Sequence, residues 1–486
     1  MSKGTRLLTA AVATIVLSLA GLFQPPASWS QQSPRATTTA SRNAALVAAT
    51  AEVLKETSEI RQLAILRPVQ SSTQSRPEIE RMLIKNLDEE TTPAQIHAGE
   101  VTLKKLGLAP SDFQYRALML RVLTEQVAGY YDPKTGQFHL ADWIDLDGQR
   151  PIMAHELTHA LQDQHFNLRR FEHWPKGDSD AELATHALIE GDATLAMALY
   201  VANNPLRALA FLKSLGTMGM ASQELEKAPR ALRETLLFPY QQGTDWTKTL
   251  YKQAGWDQVS HAFTSLPQST EQILHPEKYL AHEAPVKVTL PDITSLLNSS
   301  SAASRSADIP VRLSAQREQL WSERSHRRAN HVQAARPTWK RLDYDVEGEW
   351  GFYLILDEFL KSPAESRRAA AGWGGDRFAV YEGPKGEVLI ASLSTWDTEN
   401  DAREFFEAYV KRTEMRYPGA TQLSATDPQN RKSGLETQDR RRLSTNEGAV
   451  TIELRGNRVA ILEGQQERVD ERGLLKTIWA QSLLKP

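Results

Sequence analysis

Pro151-Ile152-Met153-Ala154-His155-Glu156-Leu157-Thr158-His159-Ala160-Leu161-Gln162 contains the pattern H-E-x-x-H in a strongly helical stretch. Pro151 suits the first turn of a helix, where a missing backbone N–H costs nothing. The four-residue spacing sets His155 and His159 one turn apart on one face, so both imidazoles can reach a single cation. Glu156 lies beside that face, close enough to contact a metal-bound water but poorly placed to ligate. Met153, Leu157 and Leu161 make an i, i+4, i+8 stripe that would bury the opposite side. One helix then carries both anchoring and chemistry. The bland alternative is a structural helix with core or solvated histidines. A chance H-E-x-x-H is expected in roughly one such chain in fifty, so the surroundings decide its meaning.

Zinc takes three protein ligands in a catalytic site and leaves a fourth position for water. The chain has no Cys, so any metal must be held by His and carboxylate. His165, six residues past His159, has the spacing of H-E-x-x-H-x-x-G-x-x-H, but Gln162 stands where that pattern needs Gly. The helix should continue and rotate His165 away. The preferred third ligand is Glu190 in Ala187-Leu188-Ile189-Glu190-Gly191-Asp192-Ala193, with His186 and Glu182 one and two turns earlier as rivals. A carboxylate among Leu188, Ile189, Ala193 and Leu195 is costly unless something compensates it, and Zn2+ would. Gly191 and Ala193 are small enough to let two helices approach closely.

Outward from these segments, the organisation is that of an α+β protein. The 486 residues suit two or three domains. Residues 1–30 read as an export signal: Lys3 and Arg6, an apolar run from Leu7 to Phe23, then Gln24-Pro25-Pro26 and the small residues around Trp29. An uncleaved anchor is the alternative. No later stretch is long and apolar enough to span a bilayer, so the mature protein is expected to be exported, periplasmic or extracellular, without a stable membrane span. A net charge of −3 removes any global argument for nucleic acid.

Residues 31–110 suggest a helical region, with helices over Ala44–Leu66 and Glu78–Leu106, the latter interrupted at Thr91-Thr92-Pro93. Residues 111–295 form the expected metal-binding domain. In it, Ser111–Val127 reads as helix and Gly129-Tyr130-Tyr131-Asp132-Pro133-Lys134-Thr135-Gly136-Gln137-Phe138-His139-Leu140 as a hairpin. Asp178–Val201 reads as helix, and helical patterns continue to about Thr235. Residues 296–341 read as a linker or insertion, Ser/Ala-rich and then basic. Residues 342–486 suggest a smaller α+β domain of two strand-pair-plus-helix units. Within it, Gly372-Trp373-Gly374-Gly375-Asp376 reads as a tight turn with a packed Trp.

His155-Glu156-Leu157-Thr158-His159 with Glu190-Gly191-Asp192-Ala193 resembles the gluzincin pattern of zinc metallopeptidases. More closely, it resembles a group of exported bacterial proteins with an A-H-E-L-T-H-A-L-Q-D-Q-H-F helix and an E-G-D-A helix. The resemblance takes in Gly129-Tyr130-Tyr131-Asp132-Pro133, Phe238-Pro239-Tyr240, and the run from Ser269 to Tyr279, and so covers about Ser111 to Asp292. It implies a mainly helical zincin-like domain, zinc on His155, His159 and Glu190, and Glu156 as catalytic base. Thermolysin-like gluzincins place an Asp four residues after the ligand Glu to orient a His. Here that position is Thr194, and the nearest acid is Asp192.

The implied reaction is peptide hydrolysis by a zinc-activated water, with Glu156 carrying the proton to the leaving nitrogen. An oxyanion donor is also needed. Ser269 and Gln272 resemble a capping box that starts a short helix, ended by Pro276. His275 then falls at a helix C-terminus, where a cationic imidazole is favoured. Tyr240, Tyr130 and Tyr131 are the rival donors. In zincins the strand before the metal helix is commonly an edge for an extended peptide, which places Gln137–Leu140 at the substrate and makes peptide or protein the expected partner. The competing reading is a non-catalytic envelope scaffold with a structural zinc.

Overall fold

The structure is a computed structural model that describes residues 39–143, 146, 149–171, 177–205, 207, 223–299, 338–423, 439–467 and 469–480. The expected export signal and most of the expected linker lie outside the described residues. The chain is mixed α+β. No helix among the described residues is long and apolar enough to cross a membrane.

Helix α1 spans Thr39–Arg61, α2 Arg76–Glu90, α3 Pro93–Leu106 and α4 Tyr115–Gln126. The Thr91-Thr92-Pro93 break is real: Thr92 caps α3, accepting from Gln95 N. Helix α5 is Arg150–Phe166, with Pro151 in its first turn, and it stops at Asn167, whose φ is 57°. Met153, Leu157 and Leu161 are fully buried against Leu46, Val53 and Leu54 of α1. Burial of this kind is worth roughly 1.5–3 kcal/mol per side chain before entropy is counted.

Helix α6, Ser179–Ala202, begins at Asp178, whose side chain accepts from Ala181 N. It packs between α5 and α7, Arg230–Ala262. Helix α7 continues well past Thr235. It contains Pro239 and breaks its helical geometry only at Ala254 and Gly255.

Strands β1 (Gln70–Gln74), β2 (Gly129–Asp132) and β3 (Gln137–Ala141) form a sheet in the order β1-β3-β2. The hairpin is β2–β3, paired antiparallel from Gly129↔Leu140 to Asp132↔Gln137. β1 pairs parallel with the other side of β3, Gln70↔Gln137 to Gln74↔Ala141. The expectation that Gln137–Leu140 is an edge strand is therefore corrected: it is the central strand, because a distant polar segment occupies its outer side. The edge next to α5 belongs to β2.

The C-terminal region holds seven strands in the order β4-β5-β6-β10-β9-β8-β7. They are β4 Lys340–Asp345, β5 Trp373–Glu382, β6 Val388–Trp396, β7 Thr421–Gln422, β8 Asp439–Thr445, β9 Gly448–Arg455 and β10 Arg458–Gln465. The two strand pairs seen in the sequence are joined as neighbours, since β10 pairs antiparallel with β6. The turn with a packed Trp expected at Gly372–Asp376 is present at Gly372, whose φ is 75°, but the segment continues as strand. Trp373 is buried and starts β5, with a bulge before Gly375. One apolar core runs from Leu188 of α6 through Trp246 of α7 to Trp350, Phe405 and Ile461.

Glu463 of β10 is fully buried with Arg412, whose Nη1 donates to its Oε2 at 2.9 Å. Burial pushes the Glu463 carboxyl up, but Arg412, Arg416 and Lys105 outweigh it and bring it down to about 2. A carboxyl depressed in the folded state stabilises above its unfolded value, about 4.3, and loses that contribution as pH falls toward the folded value. The stability difference between wild type and Glu463→Gln, followed by urea midpoints, is expected to be largest above pH ~4.5 and to shrink toward pH ~2. A difference that does not change over this window contradicts the account.

Candidate metal centre

Helix α5 supplies two imidazoles and α6 one carboxylate to the same point. His155 Nε2 and His159 Nε2 are 3.1 Å apart. Glu190 Oε2 stands 3.2 Å from the first and 3.5 Å from the second. Donors bound tetrahedrally to zinc at ~2.0–2.1 Å are about 3.3 Å from one another, so the three atoms have the mutual spacing of three zinc ligands. The side chains of His155, His159 and Glu190 are 2%, 0% and 5% exposed. Glu190 Oε2 is buried and has no hydrogen-bond partner among the described residues. A buried acceptor facing two imidazole nitrogens without a hydrogen bond fits a cation between them.

The charges of Glu190 and His159 lean the same way. Burial pushes Glu190 up, yet His159 and His155 outweigh it and hold the carboxyl down at about 2. Burial lowers His159, but Glu190 and Glu156 reverse the sign and raise it to about 9.

Glu156 is fully buried beside the triad and outside it. Its Oε2 accepts from Tyr131 N at 3.0 Å, and its Oε1 has no hydrogen-bond partner among the described residues. Burial raises this carboxyl to about 8. Because Tyr131 lies on β2, the outer side of that strand faces the catalytic-base candidate.

The other candidates separate clearly. His165 Nε2 reaches the Ala64 carbonyl at 2.7 Å, away from the triad. His186 and Glu182 are buried on α6 but do not join the triad. His275 is bonded through Nε2 to Glu349 Oε1 at 2.9 Å, and among the described residues its other ion-pair partner is Glu277. The structure thus brings His275 to the C-terminal region, and none of these contacts reaches the triad. Tyr130 and Tyr131 spend their hydroxyls on Gln74 and Asp163. Tyr240 is the rival that packs on a ligand, its ring 6.3 Å from that of His155.

A second acidic group, Glu271, Glu283 and Asp397, also lies together. Lys278 Nζ sits among its oxygens at 2.6, 2.9 and 2.6 Å. That ammonium takes the place a metal would need.

Gln162 escaped the sequence reading as an orienting group, and Asp192 entered it only as the nearest acid after Glu190. Gln162 holds His159, with Nδ1 and Oε1 2.8 Å apart, and Asp192 accepts from Gln162 Nε2 at 2.9 Å. Thr194 Oγ1 has no partner among the described residues. The orienting acid is two residues after Glu190 instead of four, and it acts through an amide. The signal was present: Gln162 is i+3 from His159, on the same helical face.

A family described as Domain of unknown function (DUF8575) matches residues 336–472, which takes in the seven-stranded sheet and leaves the His155–His159–Glu190 triad outside. No curated protein and no solved structure matches the chain.

Proposed function

We propose that this is an exported zinc-dependent metallopeptidase of zincin-like architecture, with His155, His159 and Glu190 holding the metal and Glu156 as general base. The observation that carries this reading is the convergence of three buried donor atoms next to a buried carboxylate oxygen that has no hydrogen-bond partner among the described residues. Bound zinc would polarise a carbonyl and make a water molecule acidic near neutral pH.

The protein's own groups would do the rest. Glu156 Oε1 accepts a proton from the attacking water and delivers it to the leaving nitrogen, while Tyr131 N–H holds Oε2 and fixes the carboxylate plane. Tyr240 replaces His275 as the favoured hydrogen-bond donor to the developing oxyanion.

The depth of the triad supports a second reading, a zinc clamp between α5 and α6 in a non-catalytic envelope protein. One experiment divides them. Purified zinc-loaded protein, given a fluorogenic peptide library, is expected to cleave in a way that a chelator abolishes and added zinc restores. Stoichiometric zinc with no cleavage would favour the clamp instead, and no zinc uptake would defeat both.

A further inference from the structure

A line of buried polar groups leads from the triad to the N-terminal helix. Gln162 Nε2 donates to Asp192 Oδ2 and, at 3.0 Å, to the Ile189 carbonyl. Asp192 Oδ1 is paired with Arg61 Nε at 2.5 Å, and both side chains are 0% exposed. Arg61 is the last residue of α1. Its Nη1 donates to Ser260 Oγ at 3.1 Å, and its guanidinium lies 4.4 Å over the Trp256 ring.

The donor and acceptor roles follow without ambiguity. A carboxylate and a peptide carbonyl only accept, so the amide end facing Asp192 and Ile189 must be the NH2. Gln162 Oε1 therefore faces His159 Nδ1, and because that oxygen only accepts, Nδ1 must carry a proton. In the neutral imidazole this leaves the lone pair on Nε2, the atom aimed at His155 and Glu190. Without the amide, the imidazole is free to place its proton on Nε2, where it blocks ligation. Asp192 fixes the amide, and Arg61 pairs with Asp192 in a dry interior.

We propose that Gln162, Asp192 and Arg61 form a positioning relay that sets the ligating tautomer of His159 and couples cation affinity to the docking of the N-terminal helix. The proposal rests on reading the triad as a metal site. The coupling is reciprocal: what tightens the metal should also tighten α1.

The test uses the full chain and Gln162→Met, a change of similar size that leaves the Arg61–Asp192 pair in place. Zinc affinity by competition with a chelator is expected to weaken roughly 10–100-fold. Nitrogen-15 spectra of histidine-labelled, metal-free protein, recorded above pH ~10 where the raised His159 imidazole is neutral, are expected to show His159 as the Nδ1–H form in wild type and as a tautomer mixture in the variant. Added zinc should slow hydrogen exchange over residues 39–61 in wild type more than in Gln162→Met. Tight zinc binding by wild type with unchanged affinity and tautomer in the variant would overturn the relay alone. No zinc uptake by wild type would overturn the proposed function, and with it the coupling, while the tautomer spectra still judge the positioning of His159.

Discussion

Glu156→Gln is expected to bind zinc at the wild-type stoichiometry and to lose peptide turnover by roughly 10²–10⁴-fold. The substitution keeps the size and planarity of the side chain, and its amide oxygen can still accept from Tyr131 N, the bond now made at 3.0 Å. The three donor atoms of the triad are elsewhere, so the metal should stay. What disappears is the ability of Oε1, buried and without a hydrogen-bond partner among the described residues, to take up a proton. The loss should fall on kcat with little change in KM, as for an interaction made only in the transition state. Initial rates and metal content measured on the same preparation check it. Loss of metal along with activity would reassign Glu156 to assembly of the site, and an unchanged rate would remove it from the reaction.

Gly243→Ala is expected to destabilise the protein by about 2 kcal/mol, opposite in sign to the usual effect of replacing a helical glycine. Alanine gains roughly 1 kcal/mol over glycine in a helix interior. Here, however, a Cβ on Gly243 would lie 2.2 Å from the Ala187 carbonyl oxygen, and one on Gly191 would lie 2.2 Å from the Gly243 carbonyl oxygen. The obstacle in each case is helix backbone, which cannot rotate aside. Separating α6 from α7 costs about 3 kcal/mol at the upper end of overpacking effects, so the steric term wins. Because Glu190 precedes Gly191, the same shift should move the third ligand and weaken zinc. Urea midpoints and a chelator competition measure the two consequences. A variant as stable as wild type would show that the crossing has slack.

What the sequence revealed depended on how local the relevant physics is. The HELTH helix was legible because a 3.6-residue period places His155, His159 and the Met153–Leu161 stripe on opposite faces without reference to the rest of the chain. Glu190 was legible because an acid among aliphatic residues needs a reason. The position of β3 was not. Its outer partner, Gln70–Gln74, is a polar QSSTQ segment with no alternation to mark it as a strand. The joining of β6 to β10 is a non-local pairing, and nothing in either strand names its neighbour. Arg61 was hidden for the same reason, since 131 residues separate it from Asp192. His275 illustrates the converse. Its helix-terminal setting was read correctly: Ser269 caps the helix and Pro276 follows it. The partner is nevertheless Glu349, 74 residues away.

The most direct test of the account is an anomalous difference map at the zinc edge from crystals of the full chain grown with zinc. The account predicts one dominant peak per chain, enclosed by His155 Nε2, His159 Nε2 and Glu190 Oε2. A map with no peak there, or with the Glu190 carboxylate turned away from the two imidazoles, would contradict it.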